Sequence, residues 1–538
     1  MTGATPRTFY ITTPIYYVND RPHIGHVYTT TVADVIARYH RLMGDDVFFL
    51  TGVDEHAAKV VDAAAERGLT AQAWADQNAT AFRDTFARLG ITNDDFVRTT
   101  VPRHKELVQQ YLAALLTTGD VYAGQYEGWY DAGQEEYVPD AKAKDSDFKS
   151  PINGKPLVRK TEKNYFFRLS AYREPMLRLL QQGETVAGSR FAVEPDARRN
   201  EILSRIREME DVPISRSGQT GWGIPFPGDE TQTVYVWIDA LFNYLTFADA
   251  GDRRRYWQSA ATQLIAKDIL WFHAAIWPAL LLALQKCEGY GWVNLPSRLY
   301  AHSFWISEGQ KMSKSLGNFV DLEKIDQFVA TFGLDALRWF LATQGPLGTN
   351  DSDFAEAKFI ETYNTDLANA IGNCTSRVAK MTSSYFGGVL PAPLAVSDEH
   401  RLDAARAVTE YHACMAEIDL GGAAAAAMSL VRGIDGYIER TAPFKLAKDP
   451  ANLPEVGTIL YNCAETLRVV SVLLWPFAPA KIEELWRRLG CGPYAEALAD
   501  RGRGSLTDWT EWGQLAPGTP ITAGEPLFPR YQRPGPKM

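Results

Sequence analysis

Two short stretches of the 538-residue chain carry side chains suited to holding phosphate. The first, His23-Ile24-Gly25-His26, closes the run "PIYYVNDRPHIGH" and sets two imidazoles around a glycine. The residues that follow, "HVYTTTVADVIARYHRLMG", put Val32, Val35, Ile36, Tyr39 and Met43 on one helical face and end at Gly44, so the histidines fall at the mouth of a helix. A helix N-terminus offers free N–H groups and a positive dipole end, and Gly25 lets a ligand come close to the backbone. The second stretch, "GQKMSKSLGN", packs Lys311 and Lys314 between glycines, with Ser313 and Ser315 beside them. Its small polar residues make it a loop. Taken singly, each stretch also has a plain reading: Lys-x-x-Lys as a solvated loop, His-x-Gly-His as a packed or exposed histidine pair.

The elements that must position these groups follow from the flanking patterns. "TFYIT" and "DVFFL" read as strands on either side of the helix, a βαβ unit that calls for a parallel sheet. A second set appears after residue 230: "TVYVW" as strand, "IDALFNYLTFA" as helix, "QLIA" as strand, then the apolar run "ILWFHAAIWPALLLAL", so the same sheet is expected to resume there. That last run spans 16 residues and contains His273 and Pro278, short of the roughly 20 a bilayer needs, and reads as a buried helix. Ligands of parallel sheets bind outside the carboxyl ends of the strands, which is where the histidine stretch falls. Between the two sets lie Gly-, Asp- and Lys-rich loops, an inserted subdomain. From about residue 353 the chain reads as helical, and the last residues, "AGEPLFPRYQRPGPKM", as irregular.

Composition narrows the partners. Apolar residues at 46% and charged residues at 22% fit a soluble globular protein, and a net charge of -10 leaves nucleic-acid binding to local patches. The N-terminus lacks a basic region followed by an apolar one, so a cytoplasmic protein without membrane association is expected. Cys287, Cys374, Cys414, Cys463 and Cys491 contain no C-x-x-C pair, which argues against disulfides and thiolate metal knuckles alike.

Together, "HIGH" opening a βαβ unit and "KMSKS" after the resumed sheet resemble the two signatures of the class I aminoacyl-tRNA synthetases. The chain resembles the methionyl-tRNA synthetase family over nearly its whole length, through "PIYYVNDRPHIGH", "TGVDEH", "ISRSGQTGWGIP", "VYVWIDALFNY", "AKDILWFHAAIWPALLLA", "GQKMSKSLGN" and "NAIGNCTSR". The resemblance implies an α/β protein: a Rossmann-type parallel-sheet catalytic domain (residues 1–116 and 233–297), a connective insertion (117–232), a KMSKS and stem-contact region (298–355), an all-α anticodon-binding bundle (356–514) and a tail (515–538). It implies methionine, ATP with Mg²⁺, and initiator and elongator methionine tRNAs as ligands, joined through a methionyl-adenylate. In that family the lysine loop closes over ATP and meets the triphosphate as charge builds on the leaving pyrophosphate. Catalysis is then positioning and electrostatics, since the amino acid's own carboxylate is the nucleophile.

Roles follow position by position. The resemblance implies His23, Gly25 and His26 at the phosphates, Asp268 at the ribose, and Arg216, Lys311 and Lys314 as cationic groups. It implies a methionine pocket of Ile15, Tyr17, Trp237, Ala240, Leu241, Tyr244, Ile269 and His273, with Asp54 holding the ammonium. Aromatic walls suit a flexible thioether. Asn373, Arg377 and Phe444 are implied as anticodon readers; a tryptophan is expected at 444, and Phe keeps the stacking face while losing the indole donor. No further RNA-binding module follows the helices, so a monomer is expected. Residues 126–159 contain neither Cys nor His, so the zinc knuckle of many relatives is not expected. Competing readings are another class I synthetase, a small H-x-G-H nucleotidyltransferase, and a tRNA-binding relic. The first lacks room for an editing insertion, the second leaves the helical domain unemployed, and intact His23, His26, Lys311 and Lys314 speak against the third.

Overall fold

The structure, a computed structural model, describes residues 6–131, 136–138, 140–150, 154–217, 221–259, 261–312, 317–395, 398–492 and 506–532, with backbone only at 126, 136, 137 and 141. Strand β1 (Thr8–Tyr17), helix α1 (Ile24–Leu42) and strand β2 (Asp46–Asp54) form the βαβ unit. They are followed by β3 (Asp95–Arg98), α2 (Pro102–Thr118), β4 (Ala192–Glu194), α3 (Val236–Thr246), β5 (Ala261–Ala266) and β6 (Arg298–His302). The strands make one parallel sheet in the order β3-β2-β1-β5-β6-β4. Strands covered on both faces need near-continuous apolar runs, and β1 and β2 have them.

Strand β1 runs further than the apolar run "TFYIT" suggests. Its pairing to β2 breaks register between Thr12 and Ile15, around Pro14, and resumes through Tyr17. Proline lacks the N–H a central ladder needs, so the irregularity falls there, and it carries Ile15 and Tyr17 on strand backbone to the edge of the ligand crevice.

Helix α1 is buried nearly all round, beyond the single apolar face the spacing predicts. Its polar residues are matched in the interior. Asp34 lies 2.7 Å from both Arg38 Nε and Arg338 Nη2 and accepts the Thr92 N–H at 2.7 Å. Burial alone would push Asp34 up, but the two guanidiniums outweigh it and hold the carboxyl at about 2. Arg338 also donates to Pro476 O at 3.1 Å, so this charge cluster ties the catalytic sheet to the C-terminal helices.

One expectation is corrected. The segment "TVYVW" does not resume the parallel sheet: residues Asp229–Val234 pair antiparallel with Ser215–Ser217 and Pro225–Phe226 in a separate three-stranded sheet. The chain turns at Tyr235, and Val236 and Trp237 already belong to α3. Antiparallel pairing across a tight turn needs no crossover, so the segment pairs with its local neighbours and the sheet resumes at β5. Conversely β4, from the stretch expected to be wholly insertion, adds an edge strand to the catalytic sheet. That stretch also contains a four-stranded antiparallel sheet, in which Val121–Asp131 pairs with Val158–Phe167, and the helices Arg173–Leu180 and Asp196–Ile206.

The C-terminal part is helical, including α4 (Asn373–Phe386), α5 (Leu420–Thr441) and α6 (Leu453–Leu474). The stretch Pro450–Leu474 is long and apolar enough to cross a bilayer, yet 94% of its apolar window is buried within the chain. Through residue 532 the tail is irregular, as its prolines require, but anchored: Tyr363 donates to Pro529 O at 2.7 Å, and Asn364 bonds the Tyr531 backbone in both directions.

Candidate active site

A cavity of about 550 Å³ opens at the carboxyl ends of β1, β2 and β5. At one end stand the two histidines. His23 is the N-cap of α1, its Nδ1 accepting the Gly25 N–H at 3.1 Å, while His26 Nδ1 accepts the His23 N–H at 3.2 Å. This reciprocal cap explains the spacing, since N-cap and third helical residue satisfy each other's backbone donors. It also favours glycine at 25, where a Cβ would crowd the His23 ring at 3.0 Å from Cε1. Burial, with the neighbouring His23 adding to it, pushes His26 well below the usual imidazole range. A neutral ring that accepts at Nδ1 carries its proton on Nε2, the donor that a phosphate oxygen needs.

The other end is walled by aromatic and apolar side chains. Helix α3 presents Trp237, Ala240, Leu241 and Tyr244 to the cavity, the one-face spacing of a helix. Trp237 stacks on Phe272 at 4.1 Å between ring centroids and meets Tyr17 edge-on at 5.9 Å. His273 lies in a π-helical turn, Phe272–Ile276; its Nδ1 is 3.0 Å from Ile269 O and its Nε2 2.8 Å from the Tyr244 hydroxyl. A carbonyl only accepts, so Nδ1 holds the proton and Nε2 accepts from Tyr244. Burial depresses His273 to about 4, which keeps that tautomer at neutral pH. Ile15 and Ile269 complete the apolar wall.

Asp54, at the last position of β2, lines this end and is 2% exposed. Among the described residues its Oδ1 has no hydrogen-bond partner. Burial first, and then the charge of Asp239, push its carboxyl well above the usual range. A buried carboxylate with an open oxygen is costly until a cation arrives, which suits it to an ammonium group.

Asp268 shares the cavity with these groups, and burial raises it. Arg216 stands apart: it lies over the Tyr235 ring at 4.1 Å and borders an adjoining cavity of about 280 Å³ that shares Tyr17, Asn19 and Trp237 with the first. Lys311 is exposed at the end of a short hairpin strand, Gln310–Lys311, and does not line the cavity. Lys314 lies outside the described residues. The chain after that loop is nonetheless pinned to the histidine cap: Ile24 N–H donates to Val320 O at 3.1 Å, and Phe319 meets His23 edge-on at 5.3 Å. Asn373 is exposed at the start of α4, Arg377 follows one turn on and pairs with Asp435 of α5 at 3.0 Å, and Phe444 is 45% exposed.

Several lining residues escaped the sequence reading, among them Asn19, Asp20, Phe304 and Phe319. His302 is the most telling. Its Nε2 lies 2.8 Å from Thr29 Oγ1 of α1, its Nδ1 2.7 Å from Ser303 O, and burial lowers it to about 4. The signal available was a histidine closing the strand "RLYAH" directly after the apolar Leu299, Tyr300 and Ala301, just before the lysine loop.

The model of the family "tRNA synthetases class I (M)" matches residues 9–146 and 143–379. The chain is 40% identical to a methionine–tRNA ligase of Streptomyces coelicolor, covering 98% of this chain and 97% of that one, and 38% identical to one from Mesorhizobium japonicum, covering 98% of each. Among solved structures it is similar to Mycobacterium tuberculosis methionyl-tRNA synthetase in complex with methionyl-adenylate, with a TM-score of 0.85 and 31% identity over 97% of this chain and 100% of the other. With the parallel sheet, the capped histidine pair and this kinship in agreement, the chain belongs to the methionine family of class I tRNA synthetases.

Proposed function

We infer that this chain is a methionine–tRNA ligase: it activates methionine with ATP and transfers the methionyl group to the 3′-terminal adenosine of its tRNA. The observation that carries the reading is one continuous cavity with an open buried carboxylate among aromatic walls at one end and a helix N-terminus with two imidazoles at the other. Asp54 takes the ammonium, and Ile15, Tyr17, Trp237, Ala240, Leu241, Tyr244, Ile269 and His273 enclose the thioether. The substrate carboxylate oxygen then attacks the α-phosphorus. An O–P bond forms, the bond to the bridging oxygen breaks, and pyrophosphate leaves with its electron pair. His23, Gly25 and His26 receive the phosphates and Asp268 the ribose. Arg216, Lys311 and Lys314 contribute positive charge as pyrophosphate departs. In the second step a hydroxyl of the terminal ribose attacks the carbonyl carbon and AMP leaves. Amino-acid-dependent exchange of pyrophosphate into ATP, run across all twenty amino acids, tests the reading; exchange with an amino acid other than methionine as the preferred substrate would overturn it.

Among the described residues no three His, Cys, Asp or Glu side chains gather around a point where a metal could sit. Mg²⁺ is therefore proposed as a companion of the triphosphate, held by few protein ligands, as is usual for this ion. No structural zinc is proposed, because residues 126–159 supply neither thiolate nor imidazole. Support for the insertion without metal comes from packing: Trp129 meets Phe148 in a tilted contact at 4.6 Å between centroids and covers a small core of Val138, Ala143 and Leu157. Elemental analysis of protein purified without added metal is expected to find no stoichiometric zinc, and one tightly held zinc per chain would refute this.

Asn373, Arg377 and Phe444 are proposed to read the anticodon. What supports it is their accessibility on the helical part of the chain, with Arg and an aromatic face available for stacking on unpaired bases. Arg377→Ala is expected to lower charging of tRNA by roughly thirtyfold, about 2 kcal/mol, the usual weight of a base-reading arginine. Pyrophosphate exchange is expected to stay unchanged; equal loss in both assays would give Arg377 a folding role instead. The proposal extends to initiator and elongator tRNAs as substrates and to a monomer in the cytoplasm.

A further inference from the structure

Behind the pocket wall lies a hydrogen-bonded chain of titratable groups that the mechanism above does not use. Asp239, on α3, is 1% exposed; its Oδ2 lies 2.6 Å from His56 Nδ1 and its Oδ1 2.6 Å from His104 Nε2. His104, in the first turn of α2 and 0% exposed, continues to Thr246 Oγ1 at 2.8 Å. His56 is 4% exposed, and its backbone N–H bonds the carboxylate of Asp54. The chain thus joins α2, α3 and the end of β2. It touches the amino-acid end of the cavity through Asp54 and through α3, whose opposite face carries Trp237, Ala240, Leu241 and Tyr244.

Two carboxylates buried this close would compete. Each disfavours the other's ionised form, and the cheaper arrangement would have one of them take a proton. The two imidazoles decide which. Burial pushes Asp239 up, but His56 and His104 together outweigh it and hold it at about 2. Asp239 therefore keeps its charge, answered within the protein, and the proton falls to Asp54 in the free site, where Oδ1 has no partner among the described residues until a cation arrives. Of its neighbours in "TGVDEH", Glu55 is likewise absorbed, by Arg98 Nε at 2.8 Å and Thr100 Oγ1 at 2.6 Å.

We propose that His56, Asp239 and His104 are positioning residues for amino-acid recognition, which hold the His56 N–H in place and through it orient Asp54 toward the substrate's ammonium. The proposal rests on the reading that Asp54 receives that ammonium. It differs from a simple packing role in what it predicts: the chain governs discrimination for the charged amine and leaves the fit of the side chain alone.

The test compares binding of methionine with that of 4-(methylthio)butanoate, which has the same side chain and carboxylate but no amine, on the full-length protein. His104→Asn keeps a polar group near Thr246 but is too short to reach Asp239, while His104→Gln restores an N–H at about the distance of Nε2. His104→Asn is expected to cost about tenfold of the preference for methionine over the analogue, with the analogue's own affinity and the KM for ATP unchanged within about twofold, the scale of one weakened charge-assisted contact. His104→Gln is expected to recover most of that preference. Should His104→Asn fail to fold, His56→Ala carries the same measurement from the other side of Asp239. Parallel weakening of both ligands, or no change in either, overturns the proposal. If Asp54→Asn itself leaves the preference intact, the reading of Asp54 fails; if Asp54→Asn abolishes it and the histidine variants do not, only the positioning role fails.

Discussion

Replacing Asp54 by asparagine is expected to reduce kcat/KM for methionine by about two orders of magnitude in pyrophosphate exchange, with the KM for ATP little changed. Asparagine keeps the shape and one acceptor oxygen, so the pocket should persist. What is lost is the charge, and a charge-assisted contact in a site that excludes water is worth about 3 kcal/mol. The same residue is expected to set the acid limb of methionine use. The group must be ionised to hold an ammonium, and burial together with Asp239 raises its pKa in the free protein. Affinity for methionine therefore falls as pH drops through that raised value, above the ordinary carboxylate range, and the limb is expected to vanish in Asp54→Asn. A variant with unchanged kcat/KM, or one with the limb intact, would remove Asp54 from the recognition site.

His26→Asn is expected to lower the rate of adenylate formation by about 10² to 10³ while methionine binding stays intact, the cost of deleting one preorganised donor aimed at developing charge. Asparagine can still accept the His23 N–H through its side-chain oxygen, so the helix cap is retained and only the Nε2 donor is removed. The loss should appear in kcat, because phosphate charge builds only on the way to the transition state. Burial keeps His26 neutral far below pH 6.5, so its protonation is expected to add no acid limb between pH 6 and 8. Pre-steady-state adenylate formation across that range measures both points, and a purely structural histidine would instead show equal losses in methionine affinity and rate.

The sequence by itself determined the catalytic sheet's first βαβ unit, the helical C-terminal part and the family. These rest on local information: continuous apolar runs for strands covered on both faces, helical periodicity, and two short motifs whose spacing is tied to backbone geometry, as the reciprocal cap of His23 and His26 shows. Trp237, Ala240, Leu241 and Tyr244 were reached through the family resemblance, and their sharing one helix face in the structure agrees with a 3.6-residue period. Contacts distant in sequence were not legible in this way. The segment "TVYVW" pairs antiparallel with its neighbours because pairing is a choice among partners, and strand propensity does not name the partner. Edge strand β4 arrives from the middle of the insertion, and His302 reaches α1 across 273 residues of sequence, contacts that no local pattern encodes. The protonation states of Asp54, Asp239, His26 and His273 were likewise out of reach. A carboxylate or imidazole has one intrinsic affinity for protons in any sequence, and it is burial and the charges folded against it that separate an open Asp54 from an answered Asp239.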